Sequence, residues 1–262
     1  MGKAVLFEVD AGVALITLNR PERYNAVNQD LVDGISESLN KAKDDKSIRA
    51  IVLTGAGKGF CAGADMMVFG GEVTPEQRRD YIINQYQPLM RQFFNLNKPI
   101  IGAINGTAAG VGAAFALACD LRVMSEKSAI LYAFINIGLG PDGGASWLLS
   151  RQVGYSKAFE IAISGKKVLG QQCFDLGLTN RIVENEQILE NAINWAKELA
   201  NRPTLAIGIT KQDLVHSMNN DLYSTIAYEA ERQVLAFKSH DLKEGVTAYT
   251  VSYTHLTLPT IA

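Results

Sequence analysis

The sequence predicts an α/β fold, in which an α/β core is followed by a helical region. Strand-like and helix-like segments alternate over the first two-thirds of the 262 residues, whereas the pattern from Ile188 onward is helical. This order is typical of a sheet covered by helices, with further helices appended. The chain is long enough to bury a substantial core, and its sequence shows no internal repeat or long linker.

The first 54 residues predict a β-α-β beginning. Their patterns place strands at 5–9, 13–18 and 48–54 and a helix at 28–43. Leu31, Ile35 and Leu39 recur on one helical face, and Asn28 or Asp30 supplies the N-cap side chain. A turn at residues 10–12 joins the first two strands as a hairpin.

The rest of the chain continues this alternation and ends in helices. Helices are predicted at 74–96, 147–153, 156–164, 171–176, 188–201, 204–218 and 222–238, and strands at 121–124, 129–134 and 179–183. The helix at 74–96 has a clear start, because Thr74 offers an N-cap hydroxyl, Pro75 suits the first helical position and Glu76 is an early acidic residue.

Residues 98–120, KPIIGAINGTAAGVGAAFALACD, predict a buried strand that turns directly into a helix. Asn105-Gly106 favours a turn, and the alanine-rich run that includes Gly110 and Gly112 favours a closely packed helix. The first turn of such a helix presents unpaired N–H groups, which hold an oxyanion or a phosphate. The alternative is that this strand and helix have only a structural role and bind no ligand. A membrane span is disfavoured because Asn105-Gly106 interrupts the apolar run.

A second site of close backbone approach lies in residues 60–65, FCAGAD, where Gly63 follows a predicted strand. Considered alone, this segment fits a tight structural turn of small residues as well as it fits a ligand-binding backbone site. Gly63-Ala64 and Gly110-Val111 together predict two N–H groups that hold one oxygen atom. Such an oxyanion hole suits a carbonyl group that loses an α-proton, because negative charge then moves onto the carbonyl oxygen.

This chemistry requires a base, and Asp142 is the best candidate. It follows Pro141 in the glycine-rich loop IGLGPDGG, where a carboxylate can approach a ligand. The alternative is a turn or a cap for a helix near Ser146. Asp120 and Asp65 are interpreted as structural partners of helix ends. The three histidines lie in the helical third or the tail and are assigned surface or packing roles: His216, His240 and His255.

The composition argues against several classes of protein. The formal charge of −2, from 25 basic and 27 acidic residues, indicates neither a nucleic-acid-binding protein nor one that binds a membrane surface. Cys61, Cys119 and Cys173 are far apart and form no metal-ligand spacing, so neither a metal site nor a disulfide framework is predicted. We expect a cytoplasmic protein.

Three motifs in order, FCAGAD, INGTAAGVGAAFALACD and IGLGPDGGASW, resemble those of the crotonase family, the enoyl-CoA hydratase/isomerase superfamily. The resemblance extends from about residue 5 to residue 249. It implies a ββα spiral core at 1–200, a C-terminal helical trimerisation region at 201–249 and an atypical tail at 250–262. It also implies an acyl-CoA thioester substrate, of which coenzyme A is part, no separate cofactor, and a homotrimer or a dimer of trimers.

The resemblance also implies roles for individual residues. The amides of Ala64 and Val111 would hold the thioester oxygen, while Arg23 and Tyr24 would contact coenzyme A. The backbone near the adenine would come from Ala62, Ala64, Asp65 and Met66, and the acyl pocket would be lined by Met67, Phe69, Ala114, Phe134 and Ile137.

Departures from the family pattern decide the predicted reaction. Hydratases of this family use two glutamates, and the corresponding positions here are Ala114 and Phe134, which cannot transfer a proton. The loop of Asp142 resembles that of phenylacetate-pathway ring-epoxide isomerases and Δ3,Δ2-enoyl-CoA isomerases. An acyl-CoA isomerase is therefore predicted. The alternatives are a hydratase, a hydrolase or dehalogenase that uses Asp142 as nucleophile, and a non-catalytic acyl-CoA-binding or nucleic-acid-binding relative.

The end of the chain also departs from the family pattern. Residues 244–249, EGVTAY, resemble its final motif, which normally continues with basic residues and a phenylalanine that help to cover coenzyme A. Here residues 250–262, TVSYTHLTLPTIA, contain no lysine or arginine. A sequencing or assembly artefact is one explanation for this tail, and such an ending is expected to weaken coenzyme A affinity and trimer closure.

Overall fold

A computed structural model describes residues 2–69 and 73–254, and their side chains except those of residues 68, 69 and 250–254. The chain divides into two compact units, of which the first ends at Arg202 and the second begins at Pro203. The tail beyond residue 254, including His255, lies outside the described residues.

The strands of the described chain belong to the first unit and form two sheets. They are β1 (Val5–Asp10), β2 (Val13–Leu18), β3 (Ala50–Gly55), β4 (Ile100–Ile104), β5 (Thr107–Ala109), β6 (Leu121–Met124), β7 (Ala129–Leu131), β8 (Lys167–Leu169) and β9 (Arg181–Ile182). The larger sheet has the order β1-β2-β3-β4-β6-β9, with β1 antiparallel to β2 and every other neighbouring pair parallel. In the smaller sheet, β5-β7-β8, the first pair is parallel and the second antiparallel.

Helices follow most strands and then make up the second unit. Those of the first unit are α1 (Gln29–Asp44), α2 (Met66–Phe69), α3 (Pro75–Tyr81), α4 (Gln87–Asn95), α5 (Val111–Ala118), α6 (Ala145–Val153), α7 (Tyr155–Ser164), α8 (Gly170–Asp175) and α9 (Ile188–Ala200). Those of the second unit are α10 (Thr204–Ser217), α11 (Leu222–Phe237) and α12 (His240–Thr254). Short 3-10 turns occur at Pro21–Arg23, Ala133–Ile137 and Asn185–Gln187, and a π turn at Ile82–Tyr86 joins α3 to α4.

Helices cover both faces of the larger sheet. Every residue of β3 and β4 is buried, as expected for central parallel strands. In β3, Ile51 and Leu53 belong to the apolar cluster that includes α1 and α5, whereas Ala50 and Val52 belong to the cluster that includes α9. Because side chains alternate along a strand, this division places the two helical layers on opposite faces.

These elements confirm the predicted α/β core with helices at the C-terminus, and they differ from several local predictions. A strand, β5, intervenes between β4 and α5, so the strand at residue 104 does not turn directly into the helix. The strand predicted at 129–134 ends at Leu131 and is followed by a 3-10 turn, and the strand β8 was not predicted. β5 and β8 were missed because each has three residues, which is too short for a periodic pattern to reveal.

The helix predicted at 74–96 is present but contains the π turn. Its start has the predicted cap: the Thr74 hydroxyl accepts from the N–H of Gln77, and the Gln77 side chain accepts from the N–H of Thr74. Among the described residues, no helix is both long enough and apolar enough to cross a membrane. The uncharged α5 has 8 residues.

Candidate active site

The segment that carries Ala64 lies between two other stretches of backbone. The N–H of Val27 donates to the carbonyl oxygen of Gly63 over 2.7 Å, and the N–H of Asp65 donates to that of Val27 over 3.0 Å. On the other side, Cys61 pairs in parallel with Ala108. The segment therefore runs alongside β5, and both chains point towards the start of α5.

Gly63 and Gly110 meet where these two parallel chains end. Their φ angles are +90° and +54°, values that favour glycine. A Cβ atom on Gly63 would lie 2.8 Å from the carbonyl oxygen of Ala109, and one on Gly110 would lie 3.8 Å from Cα of Gly63. The absence of both side chains thus lets the backbone at Gly63 come into contact with the backbone at Gly110, and Ala64 and Val111 are the residues that follow.

The amides of Ala64 and Val111 are available as donors. Val111 is the first residue of α5, so its N–H has no intrahelical acceptor. Among the described residues, neither amide donates to a protein acceptor. The positive end of the α5 dipole also lies here. The two glycine sites therefore adjoin, and the binding of one oxygen atom by both amides stays a prediction.

Asn25 holds the loop beneath the first donor. It is fully buried, and its Nδ2 donates to the carbonyl oxygens of Ala56, Gly59 and Phe60 over 3.0, 2.9 and 3.1 Å. Its Oδ1 accepts from the N–H of Arg20 over 2.8 Å. The Asn25 side chain thus connects the backbone that precedes β3 with the backbone that follows it. The sequence analysis placed no special role on Asn25, whose partners are up to 35 residues away.

A buried ion pair stabilises the other end of the donor segment. Nη2 of Arg20 lies 2.9 Å from Oδ2 of Asp65, whose side chain is 6% exposed. The other carboxylate oxygen of Asp65 accepts from the N–H of Met67 at the start of α2, over 3.2 Å. The side chain of Asp65 therefore has the predicted structural role at a helix end, and its contact with adenine stays a prediction.

The loop that carries Asp142 packs directly against the second donor. Gly143 has a φ angle of +60°, and a Cβ atom there would lie 2.8 Å from Cγ2 of Val111. Asp142 is the residue immediately before this contact. Its side chain is 17% exposed, and Oδ2 lies 2.7 Å from Nη2 of Arg78. Oδ1 is buried and has no hydrogen-bond partner among the described residues.

The side chain of Asp142 does not cap α6. Within the described residues, α6 has no side-chain cap, and its N-cap residue is Gly144. The backbone carbonyl of Asp142 instead accepts from the N–H of Ala145 over 3.0 Å, which closes a turn. The backbone of Asp142 therefore forms the turn that was the alternative interpretation of this residue. Its carboxylate instead contacts Arg78.

The environment of Asp142 contains two opposing electrostatic effects. Burial raises the pKa of the Asp142 carboxyl above its ordinary value, and the Arg78 guanidinium partly opposes this rise. Arg78 in turn lies over the rings of Tyr81 and Tyr86, at 5.8 and 5.5 Å from their centroids. Nothing in the local sequence indicates this role for Arg78, which is 64 residues from Asp142.

The structure places the predicted acyl-pocket residues in different surroundings. Phe134 is buried, and its ring edge lies 3.8 Å from the position that a Cβ atom on Gly110 would occupy. Ala114 is fully buried in α5, whereas Met67 and Ile137 are 76% and 58% exposed. The side chain of Phe69 lies outside the described residues. Phe134 is therefore next to the donor glycine, and the pocket as a whole stays a prediction.

The residues predicted to contact coenzyme A lie mainly on the surface. Tyr24 is 59% and Met66 52% exposed, and Arg23 and Ala62 are also exposed. Their contacts with coenzyme A stay predictions. Across the described residues, no group of three or more His, Cys, Asp or Glu side chains is arranged to hold a metal ion.

Two other predicted structural roles are observed. Oδ2 of Asp120 accepts from the N–H of Ile100 over 2.8 Å, which joins the end of α5 to the start of β4. His216 stacks on Tyr228 with ring centroids 4.0 Å apart, and His240 is exposed. These contacts are the packing and surface roles that the sequence predicts.

The chain is similar to proteins of one family over nearly its whole length. The sequence profile described as Enoyl-CoA hydratase/isomerase matches residues 8–252. The 1,2-epoxyphenylacetyl-CoA isomerase of Escherichia coli is 36% identical over 251 residues, 95% of this chain and 96% of that protein. The short-chain-enoyl-CoA hydratase of Clostridium acetobutylicum is 30% identical over 246 residues, 94% of each protein.

Solved structures of the same family share the fold. The crystal structure of an enoyl-CoA hydratase from Polaromonas sp. JS666 aligns with a TM-score of 0.90 at 29% identity, and covers 95% of this chain and 97% of that one. These likenesses confirm the predicted crotonase-like α/β fold. The chain belongs to the enoyl-CoA hydratase/isomerase family.

Proposed function

We propose that this protein is an acyl-CoA isomerase that shifts a double bond, or opens a ring epoxide, by moving a proton through Asp142. The observation that carries the proposal is the geometry of that carboxylate. One oxygen is held by Arg78, while the other is buried and unpartnered among the described residues. The loop itself packs on Val111. A base with one free oxygen beside an oxyanion donor suits removal of a proton next to a thioester.

The reaction on a 3-enoyl thioester needs one carboxylate. Asp142 breaks the C2–H bond and takes the proton, and the electron pair moves towards the thioester oxygen, which the amides of Ala64 and Val111 stabilise. The resulting dienolate then takes the same proton back at C4, so that the double bond moves to C2–C3. Each well-placed backbone donor contributes roughly 3–4 kcal/mol to stabilising such a charged intermediate.

Hydration of a 2-enoyl thioester is the second candidate. It is favoured by the similarity to the Clostridium acetobutylicum enzyme, which is named as a hydratase. The residues argue against it. The positions that resemble those of the two hydratase glutamates are Ala114 and Phe134, and both side chains are buried and apolar. Water activation would then depend on Asp142 alone.

The two candidates are separated by incubating the purified protein with trans-3-hexenoyl-CoA and, separately, with crotonyl-CoA. We expect the first to become its conjugated 2-enoyl isomer, with a rise in ultraviolet absorbance and no change in mass. Asp142→Asn should remove this activity, whereas Asp80→Asn, at an exposed carboxylate on α3, should not. Addition of water to crotonyl-CoA at a comparable rate would refute isomerisation as the main activity.

A further inference from the structure

We propose that Arg78 is a positioning residue for the isomerase reaction: it holds Oδ2 of Asp142 and keeps the carboxylate ionised, with Oδ1 turned to the substrate. The inference rests on the proposed function for its reaction, but the ion pair is a property of the folded protein alone. Nη2 of Arg78 lies 2.7 Å from Oδ2, and the two side chains are 25% and 17% exposed. Water and salt screen the attraction within a partly buried pair less than they screen that of an exposed one.

The π turn between α3 and α4 places Arg78 for this contact. Tyr81 and Tyr86 are five residues apart, which on a regular α-helix would separate them by about 140° around the axis. The wider turn at Ile82–Tyr86 brings their rings into edge contact, with centroids 5.2 Å apart. Arg78 lies over both rings. The guanidinium is thus held between two aromatic rings and the carboxylate, which limits the directions it can take.

Arg78 is the charged group near Asp142 that opposes the effect of burial on the pKa of its carboxyl. Burial raises the pKa of Tyr81 to about 12 and that of Tyr86 above its ordinary value, so both hydroxyls are neutral near pH 7. Asp33 lies close enough to Tyr81 to raise its pKa further. From the opposite side, α5 has the sequence VGAAFALA and contributes no titratable side chain.

The arrangement matches what a base in an apolar site needs. Desolvation favours the neutral acid, which cannot take a proton. A guanidinium fixed on one oxygen offsets that effect and leaves the second oxygen as the acceptor. When Oδ1 has taken the C2 proton, Arg78 on Oδ2 keeps the new acid strong enough to return it at C4. No group outside the substrate and the carboxyl gains or loses a proton in the cycle.

The test compares Arg78→Gln and Arg78→Lys with a matched control, Arg79→Gln. Arg79 is the next residue on α3, is 63% exposed and pairs with the exposed Asp80. The pH profile of kcat/KM for trans-3-hexenoyl-CoA is measured for each variant. In parallel, the carboxyl carbon of Asp142 is titrated by ¹³C NMR in labelled protein, with its signal identified by its absence in Asp142→Asn.

We expect the acid limb of the Arg78→Gln profile and the NMR titration of Asp142 to move to higher pH by about one unit or more. Arg78→Lys should move them less, and Arg79→Gln should leave them unchanged. Loss of activity with an unmoved titration would refute the inference. If Arg78→Gln does not fold, Arg78→Met takes its place, and an unmoved titration in that variant is the refuting result.

Failure of the proposed function would be recognised separately. If the wild-type protein does not isomerise the 3-enoyl ester, the proposed function is wrong, and the NMR titration alone still decides whether Arg78 controls the Asp142 carboxyl. An upward shift in Arg78→Gln then supports the pairing, and an unchanged titration overturns it.

Discussion

Replacing Gly143 by alanine would test whether the loop of Asp142 is seated against the second oxyanion donor. The new Cβ would lie 2.8 Å from Cγ2 of Val111, whereas two carbon atoms pack best at roughly 3.5–4.0 Å. Either the loop or the start of α5 must therefore move by a sizeable fraction of an ångström. Overpacking of this kind costs about 1–3 kcal/mol.

Gly144→Ala is a matched control for the free-energy cost of placing an alanine at a positive φ angle. Gly144 also has a positive φ, +86°, but a Cβ atom there would meet nothing within 4 Å. An alanine in this conformation costs about 1–2 kcal/mol in either position. We therefore expect Gly144→Ala to lower the free energy of unfolding by about 1–2 kcal/mol, and Gly143→Ala by about 2–5 kcal/mol. Urea unfolding measures both values.

Activity should separate the two variants further. A displacement near 1 Å at a reacting centre costs about 10²-fold in rate, so kcat of Gly143→Ala should fall by about this factor while Gly144→Ala stays near the wild-type rate. Val111→Ala removes Cγ2 and leaves Cβ 3.7 Å from the new methyl group, an ordinary contact. The double variant Gly143→Ala/Val111→Ala should therefore recover activity relative to Gly143→Ala. Equal losses in both glycine variants, without recovery in the double variant, would refute the proposed seating of the loop.

Further outcomes are expected for substitutions at three positions. Asp142→Asn should lower kcat by about 10²–10⁴-fold, and wild-type activity should fall as the pH decreases through a carboxyl pKa above the ordinary value. Because this folded-state pKa is raised, Asp142 binds its proton more tightly in the native state. Its contribution to stability is therefore present at low pH and lost as the pH rises through the folded-state pKa, so Asp142→Asn should gain stability relative to wild type over this range in pH-dependent urea unfolding. Asn25→Asp would place a carboxylate against three carbonyl oxygens and should cost more than 3 kcal/mol, roughly the penalty of an unpaired buried charge; an unchanged melting temperature would contradict this. Gly63→Ala, with its Cβ 2.8 Å from the Ala109 carbonyl oxygen, should displace the first donor and lower kcat more than KM changes, so a change confined to KM would count against the oxyanion role.

Much of the candidate site can be predicted from the local sequence. Glycines in short runs of small residues mark places where backbone approaches backbone, and both Gly63 and Gly110 have the positive φ that this approach requires. The carboxylate of Asp142, in the loop before α6, was also proposed as the candidate base from its neighbours alone. These features depend on residues next to one another, so local chemistry is enough to predict them.

Features that depend on distant residues were missed. Nothing near Arg78 in the sequence indicates that it pairs with Asp142, 64 residues later, and nothing near Asn25 indicates its bond to Phe60. The π turn was missed for a related reason, since a single wide turn leaves the helical period unchanged on either side and only rotates the apolar face by one residue.

The sequence by itself determined the α/β class, the order of most helices and strands, and the three loops from which the site is built. Only the tertiary structure decided that Gly63 touches Gly110, that Gly143 packs on Val111, and that Arg78 reaches Asp142. The physical reason is that propensity and periodicity act over a few residues. The charge on Asp142, in contrast, is set by burial and by a guanidinium from another helix, and both exist only when the chain is folded.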